Sequence, residues 1–316
     1  MSFLYNIHNL FQIKSDIDLN LNDFVTEKVS DTYDISIRSL RYKDIEKNKC
    51  RQISSGLYYS KMEESICSDL NIFGIRIYWE LKDLLNDHTE LLLSKSYNFI
   101  SKYIMLFQVA SVHRVESLFR MILQIKLLLN GGTFLIGSAT SFKDKCIIFS
   151  GTHGSGKTMS NLHYIDRHNS NFLSDDHMII FNNRIYSFPT PIKLRKYNLD
   201  FVSYAKYVDP AEFFASDRLE NVVEKCDDIY FLEKSEMISV KDISSDEGIR
   251  KLCNINNKAI QYFNERLFSS LPYLYDSLSL LDLQKRQDDV LRSVFERTRF
   301  HIISAKHIQD YADLIN

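Results

Sequence analysis

The sequence is poor in the residues that break or staple a chain. Its 316 residues include four prolines and nine glycines. No internal repeat or low-complexity segment accompanies them, which excludes collagen-like and Pro/Gly-rich disordered classes. The five cysteines, Cys50, Cys67, Cys146, Cys226 and Cys253, are scattered, odd in number and never spaced C-x-x-C. With no His at ligand spacing from them, they argue against a zinc site and for buried thiols in a reducing compartment. Charge of neither sign dominates: the net charge is −2, which gives no global argument for nucleic acid or a membrane surface. No stretch approaches the ~18 uninterrupted apolar residues of a membrane span. The opening MSFLYNIHNLF lacks the cationic segment and apolar core of a signal peptide. The expectation is a cytoplasmic protein with no nucleic-acid or membrane partner. An apolar fraction of 45% is enough for a sizeable core, and the length allows one large domain or two ordinary ones.

Against that scarcity of glycine, three fall within eight residues: Gly151, Thr152, His153, Gly154, Ser155, Gly156, Lys157 and Thr158. The stretch fits the phosphate-binding pattern G-x-x-x-x-G-K-[ST] at every fixed position. The apolar run CIIFS precedes it and predicts a buried strand. Residues 159–168 lack Pro and Gly and predict a helix. Strand, Gly-rich loop, helix is the context the motif needs. The glycines let backbone N–H groups turn toward phosphate oxygens, and the helix N-terminus adds partial positive charge. Lys157 supplies a point charge for the β- and γ-phosphates, and the Thr158 hydroxyl can ligate Mg²⁺. ATP and Mg²⁺ are the implied ligands.

Twenty residues on, a short strand ends in Asp175-Asp176 and resumes at Met178. Adjacent carboxylates near a phosphate loop are costly unless they meet a cation, and Mg²⁺ would be that cation. Asn182-Asn183 signals a turn, and residues 184–188 predict a strand. The segment IKLRK then carries Lys193, Arg195 and Lys196, candidates for reaching a substrate or the γ-phosphate. Residues 209–224 are polar and predict a helix. IYFL predicts a strand ending in Glu233. Residues 246–294 read as largely helix, interrupted by Pro272-Tyr273-Leu274-Tyr275, followed by a strand at 299–303 and a helix at 307–315.

Upstream of the loop, residues 133–149 predict a β-hairpin leading straight into it. Residues 97–129, free of Pro and Gly until Gly131-Gly132, predict one long helix or two. Residues 1–95 alternate short Val-, Ile- and Tyr-rich stretches with polar breaks and predict a small, mostly β or α+β N-terminal domain that covers the core or selects a partner. The expected boundaries are therefore 1–95 and 96–316.

The hairpin LIGSAT, the loop GTHGSGKT, the acid pair in LSDDHMII and the later PTPIKLR together resemble the HPr kinase/phosphorylase-like kinases, a group related to ATP-dependent phosphoenolpyruvate carboxykinase. The resemblance covers about the C-terminal two-thirds in arrangement and these short motifs in detail. It implies an α/β fold, a P-loop kinase core of that type. It further implies a catalytic set of Lys157, Asp175 and Asp176, with Thr158 and Asp175 on the metal and Asp176 as the base that takes the proton of a serine hydroxyl. Asp200 is the candidate for a second metal contact. Family members often carry a His fifteen residues before the first loop glycine. This chain has Ile136 there, which implies a forward kinase with little phosphate-driven reversal.

The leading expectation is a kinase acting on a hydroxyl, a serine of a protein or peptide. A small-metabolite kinase of the same fold remains open, as do a switch-type P-loop ATPase in which Glu233 orients water and a module that senses nucleotide without turnover. Homo-oligomerisation is left open.

Overall fold

The computed structural model describes residues 2–28, 32–44, 50–72, 74–103, 114–142, 145–188, 191–195, 205–276, 278–306, 310–311 and 314–315, without the side chains of 44, 102–103, 193–195, 205–207 and 258–267. The fold is mixed α/β, built on mixed sheets. The chain divides into two compact units, Met1–Lys126 with Ile260–Leu283, and Leu127–Ala259 with Gln284–Asn316.

The first unit is organised on an eight-stranded sheet. Its strands are β1 (Phe3–Ile7), β2 (Phe11–Ser15), β3 (Ile35–Leu40), β4 (Arg51–Ser54), β5 (Leu57–Ser60), β6 (Ser65–Ile72), β7 (Ile75–Lys82) and β8 (Thr89–Ser94). The order is β1-β2-β3-β8-β7-β6-β5-β4. Alternate residues such as Ile35 and Ile37, or Leu91 and Leu93, are buried, as period-2 patterning requires. The helical run expected over 97–129 is described as α1 (Lys95–Tyr103) and α2 (Val115–Leu129); residues 104–113 lie outside the described ones.

The second unit holds the Gly-rich loop 151–158. It begins with β9 (Thr133–Ile136), β10 (Ser138–Phe142), β11 (Lys145–Ser150), α3 (Lys157–His168), β12 (Asn171–Ser174), β13 (His177–Phe181) and β14 (Arg184–Ser187). It continues with β15 (Ile192–Arg195), β16 (Ala205–Val208), α4 (Pro210–Phe213), β17 (Val222–Val223), β18 (Asp228–Lys234) and β19 (Ser239–Ile243), then α5 (Ser245–Leu274) as far as Ala259, α6 (Leu280–Phe295) from Gln284, and β20 (Arg299–Ala305). The main sheet runs β12-β10-β11-β18-β20-β19, with β11, β18 and β20 mutually parallel. Parallel strands are buried on both faces, and the core shows it. Ile148, Ile229, Phe231 and Phe300 pack with Leu252, Leu291 and Phe295 on one face. Ile147, Phe149, Tyr230, Leu232 and Ile303 pack with Tyr164 on the other. Each such large side chain contributes about 1.5–3 kcal/mol by leaving water.

Two expectations on local structure are corrected. Residues 133–142 are not one arm of a hairpin. β10 pairs with β11, whereas β9 pairs with β13 in a second, four-stranded sheet, β17-β14-β13-β9. Gly137 sits at the crossing between sheets, where a Cβ would lie 3.0 Å from the Phe149 carbonyl oxygen and 2.9 Å from Ile148. Residues 209–224 form only the short α4, a 3-10 turn at Ser216–Arg218 and β17. Asp209 caps α4 by accepting from the Ala211 N–H, but Phe214 turns extended and stacks on Phe172 with ring centroids 5.1 Å apart, so apolar packing ends the helix. The interruption expected at Pro272-Tyr273-Leu274-Tyr275 falls where α5 ends at Leu274, before α6 begins at Leu280; Pro272 itself lies within the last turn of α5, where its missing N–H removes a single ladder bond. The Asn182-Asn183 turn signal corresponds to a two-residue loop, both residues at positive φ, between paired Phe181 and Arg184. The helix expected at 307–315 falls mostly outside the described residues. Among the described residues no helix is long and apolar enough to cross a membrane.

Candidate functional site

The site is built where β11 ends. The loop from Gly151 leaves the carboxyl end of that strand and enters α3 at Gly156, which caps the helix in a left-handed conformation, φ 102°, without a side-chain cap bond. The first N–H groups of α3 therefore have no side-chain acceptor at the cap, an arrangement suited to an anion. Gly151 must be glycine. Its φ is 153°, and a Cβ would lie 2.7 Å from Ser155 Oγ and 3.2 Å from the Leu232 carbonyl oxygen. Ser155 Oγ is buried without a hydrogen-bond partner, a polar atom inside the loop that a phosphate oxygen would satisfy.

Helix α3 turns a mixed stripe inward: Lys157, Ser160, Asn161, Tyr164 and Ile165 are its buried residues, at the i, i+3, i+4, i+7, i+8 spacing of one helix face. Lys157 Nζ folds back on the loop's opening and donates to the carbonyls of Gly151 and Thr152, both at 3.2 Å. Burial pulls its pKa down, with Asp176 and then Asp175 opposing that shift by their charge.

The acid pair sits on a tight turn. Ser174 Oγ has the carbonyls of His177 and Phe188 within reach of its one O–H and accepts from the Phe188 N–H, while the His177 N–H donates to the Asp175 carbonyl. Asp176 takes a left-handed conformation, φ 67°, which Asp tolerates better than most residues. The turn sends the two side chains apart. Asp175 is buried, 3% exposed, and accepts from Thr158 Oγ1 at 2.9 and 3.0 Å from its two oxygens. Burial raises its carboxyl to about 6, against the bond from Thr158; Asp176 pushes it further up, and Ser138 and Lys157 pull it down. The side chain of Asp176 is 55% exposed and lies 3.5 Å from His177 Nδ1.

The donor set fits a magnesium ion bound with a nucleotide. Among the described residues no three His, Cys, Asp or Glu side chains cluster to hold a metal. Mg²⁺ needs no such cage: it keeps waters and takes one or two carboxylates plus substrate phosphates. The Thr158 hydroxyl and the Asp175 carboxylate are the oxygens this chain would offer. The remaining loop candidates, Thr152, His153 and Gly154, are exposed at the loop's tip. Lys193 and Arg195 belong to β15, which pairs with β16, but their side chains lie outside the described ones, as do Lys196 and Asp200 altogether.

Several neighbours carry no sequence signal. Asn161 Nδ2 donates to Ser138 Oγ at 2.8 Å and to the Ala139 carbonyl at 3.1 Å, tying α3 to β10 beneath Asp175. Ile136, where the family resemblance implies a His, pairs across β9 and β13 with His177, so a buried imidazole stands there from the opposite strand. The parallel register Ser150↔Phe231 brings the end of β18 beside the loop. A cavity of about 560 Å³ opens between them, lined by the first half of the loop, Glu233 and Lys234 of β18, and Lys251, Asn254 and Ile255 of α5. Only Glu233 among these non-loop residues had a sequence rationale, a carboxylate at a strand end.

No protein-family model matches the chain, and no curated protein matches it. Solved structures that match include the HPr(Ser) kinase/phosphatase from Coxiella burnetii, at 14% identity over 35% of this chain and 72% of that one, with a TM-score of 0.24. A likeness of that size carries no argument about this chain.

Proposed function

We propose that the chain is an ATP- and Mg²⁺-dependent kinase of the HPr kinase-like type that transfers the γ-phosphoryl group to a hydroxyl, a serine of a protein or peptide. The observation that carries this reading is the contact of Thr158 with the buried Asp175 directly behind a complete phosphate loop. The two acids divide the work by their surroundings. Asp175, buried and already bonded to the metal-ligating hydroxyl, belongs to the cation side. Asp176, half-exposed and near enough to Lys157 to raise its pKa, is the acid an acceptor hydroxyl can reach. It takes the hydroxyl proton as the acceptor oxygen bonds to the γ-phosphorus and the bond to the β–γ bridging oxygen breaks. Gly151 to Gly156 and the start of α3 hold the phosphates, and Lys157 leaves the loop carbonyls for them. Bound Mg²⁺ would supply charge neutralisation on the phosphates.

A second reading has one observation in its favour: Glu233 ends the strand beside the loop strand and lines the cavity next to the loop, where a switch ATPase would orient water. Lys251 already pairs with it. Incubation with γ-labelled ATP, Mg²⁺ and cell lysate, with labelled species identified by mass spectrometry, tests the kinase reading. A labelled serine-bearing protein or peptide is expected. Release of inorganic phosphate with no labelled acceptor, protein or metabolite, would overturn it in favour of the second reading.

A further inference from the structure

The cavity beside the loop has a cation on its wall that the kinase reading leaves without a role. Lys251 is the seventh residue of α5, at the end of its second turn. Its ammonium pairs with Glu233 Oε1 and stands 5.6 Å from the centre of the Phe231 ring. An acidic partner below and an aromatic face beside it hold one long side chain in one place. The pair is only partly withdrawn from water, with 31% of the lysine side chain and 45% of the glutamate exposed. Such an ion pair is worth little, so a stronger anion can displace Glu233 easily.

The loop itself says which anion arrives. In a phosphate loop the conserved lysine reaches the β- and γ-phosphates. Here Lys157 Nζ rests on the carbonyls of Gly151 and Thr152, so the terminal-phosphate end of a bound nucleotide belongs at the loop's opening. Gly151 and Thr152 at that opening line the cavity with Lys251, together with His153 to Ser155. The cavity therefore includes the terminal-phosphate end of the loop.

We propose that Lys251 recognises the terminal phosphate of a nucleoside triphosphate and makes the site discriminate ATP from ADP, with Glu233 occupying the ammonium until that phosphate arrives. The inference rests on the phosphate-loop reading above. A bond from an ammonium to a phosphate oxygen is charge-assisted, and its loss corresponds to about 10- to 100-fold in affinity.

Calorimetric titration of the full chain with Mg²⁺ and either ADP or the β,γ-imido analogue of ATP tests it. Lys251→Gln should weaken the triphosphate analogue by that factor and leave ADP unchanged, and Lys251→Arg should keep the wild-type ratio. Equal weakening of both nucleotides by Lys251→Gln, or of neither, overturns the inference. Lys157→Ala reports separately on the loop. If it leaves both affinities intact, or if the wild-type chain binds neither nucleotide, the loop reading fails and takes this inference with it; if it abolishes both, the loop reading stands and Lys251 is judged by its own ratio.

Discussion

Replacing Asp175 by Asn should stabilise the ligand-free protein at neutral pH and cripple its response to Mg·ATP. Asp175 is 3% exposed, and burial raises its carboxyl from 3.8 to about 6. The ionised form is thus disfavoured in the folded state by about 3 kcal/mol. Because the folded-state value is the higher one, the stability this group contributes is complete below pH 3.8 and is lost as pH rises through about 6. Asn keeps an acceptor for the Thr158 hydroxyl and never ionises. The variant and the wild type should therefore unfold alike below about pH 4, diverge as pH rises from about 4 to about 6, and keep a constant gap above that, the variant being more stable by about 3 kcal/mol. In a domain of roughly 150–250 residues that difference appears as about 2–4 °C in Tm per kcal/mol. Urea unfolding at several pH values measures it directly. Mg·ATP should reverse the ranking, since a ligand at 100 times its Kd stabilises the wild type by about 2.7 kcal/mol and the variant has lost a metal oxygen. A variant less stable than wild type at pH 7.5 without ligand, or a difference that does not change with pH, would refute the placement of Asp175 as a buried carboxylate held ready for a cation.

The other expected outcomes use the same residues. Lys157→Ala should abolish nucleotide-dependent thermal stabilisation without lowering ligand-free stability, because it removes a buried cation whose pKa burial already depresses; a thermal-shift series with Mg·ATP checks both halves. Gly151→Ala should cost about 1–3 kcal/mol through backbone strain and lose nucleotide binding, since its Cβ would collide with Ser155 Oγ; unchanged unfolding and binding curves would count against the loop geometry. Asp176→Asn should keep ATP affinity and lower phosphoryl transfer by about 10²–10⁴-fold, while Glu233→Gln changes transfer little. The opposite order in turnover assays would favour the switch ATPase. Adding phosphate to phosphorylated product should release little pyrophosphate if Ile136 leaves the enzyme a forward kinase.

Some of this was written in the sequence because it is local. The loop, its glycines and its Lys-Thr pair are contiguous, and a strand and a helix flank them, so periodicity and turn chemistry over about 25 residues suffice. The Asp175-Asp176 pair was visible as two adjacent acids, but adjacency could not say that they part, one into the core against Thr158 and one outward. That depends on a single left-handed residue and on Ser174 closing the turn. The split of residues 133–142 between two sheets was likewise hidden, because Gly137 reads as a weak strand residue until the Phe149 backbone lies against it. Lys251 had no signal at all: a lysine on a helix is ordinarily a solvated one. The parallel register of β11 on β18, and the packing of α5 on that sheet through Leu252, bring it to the loop from a hundred residues away. Apolar spacing and the loop's own motif are short-range and were legible. The company a charged side chain keeps is set by which strands lie side by side, and only the tertiary structure decides that.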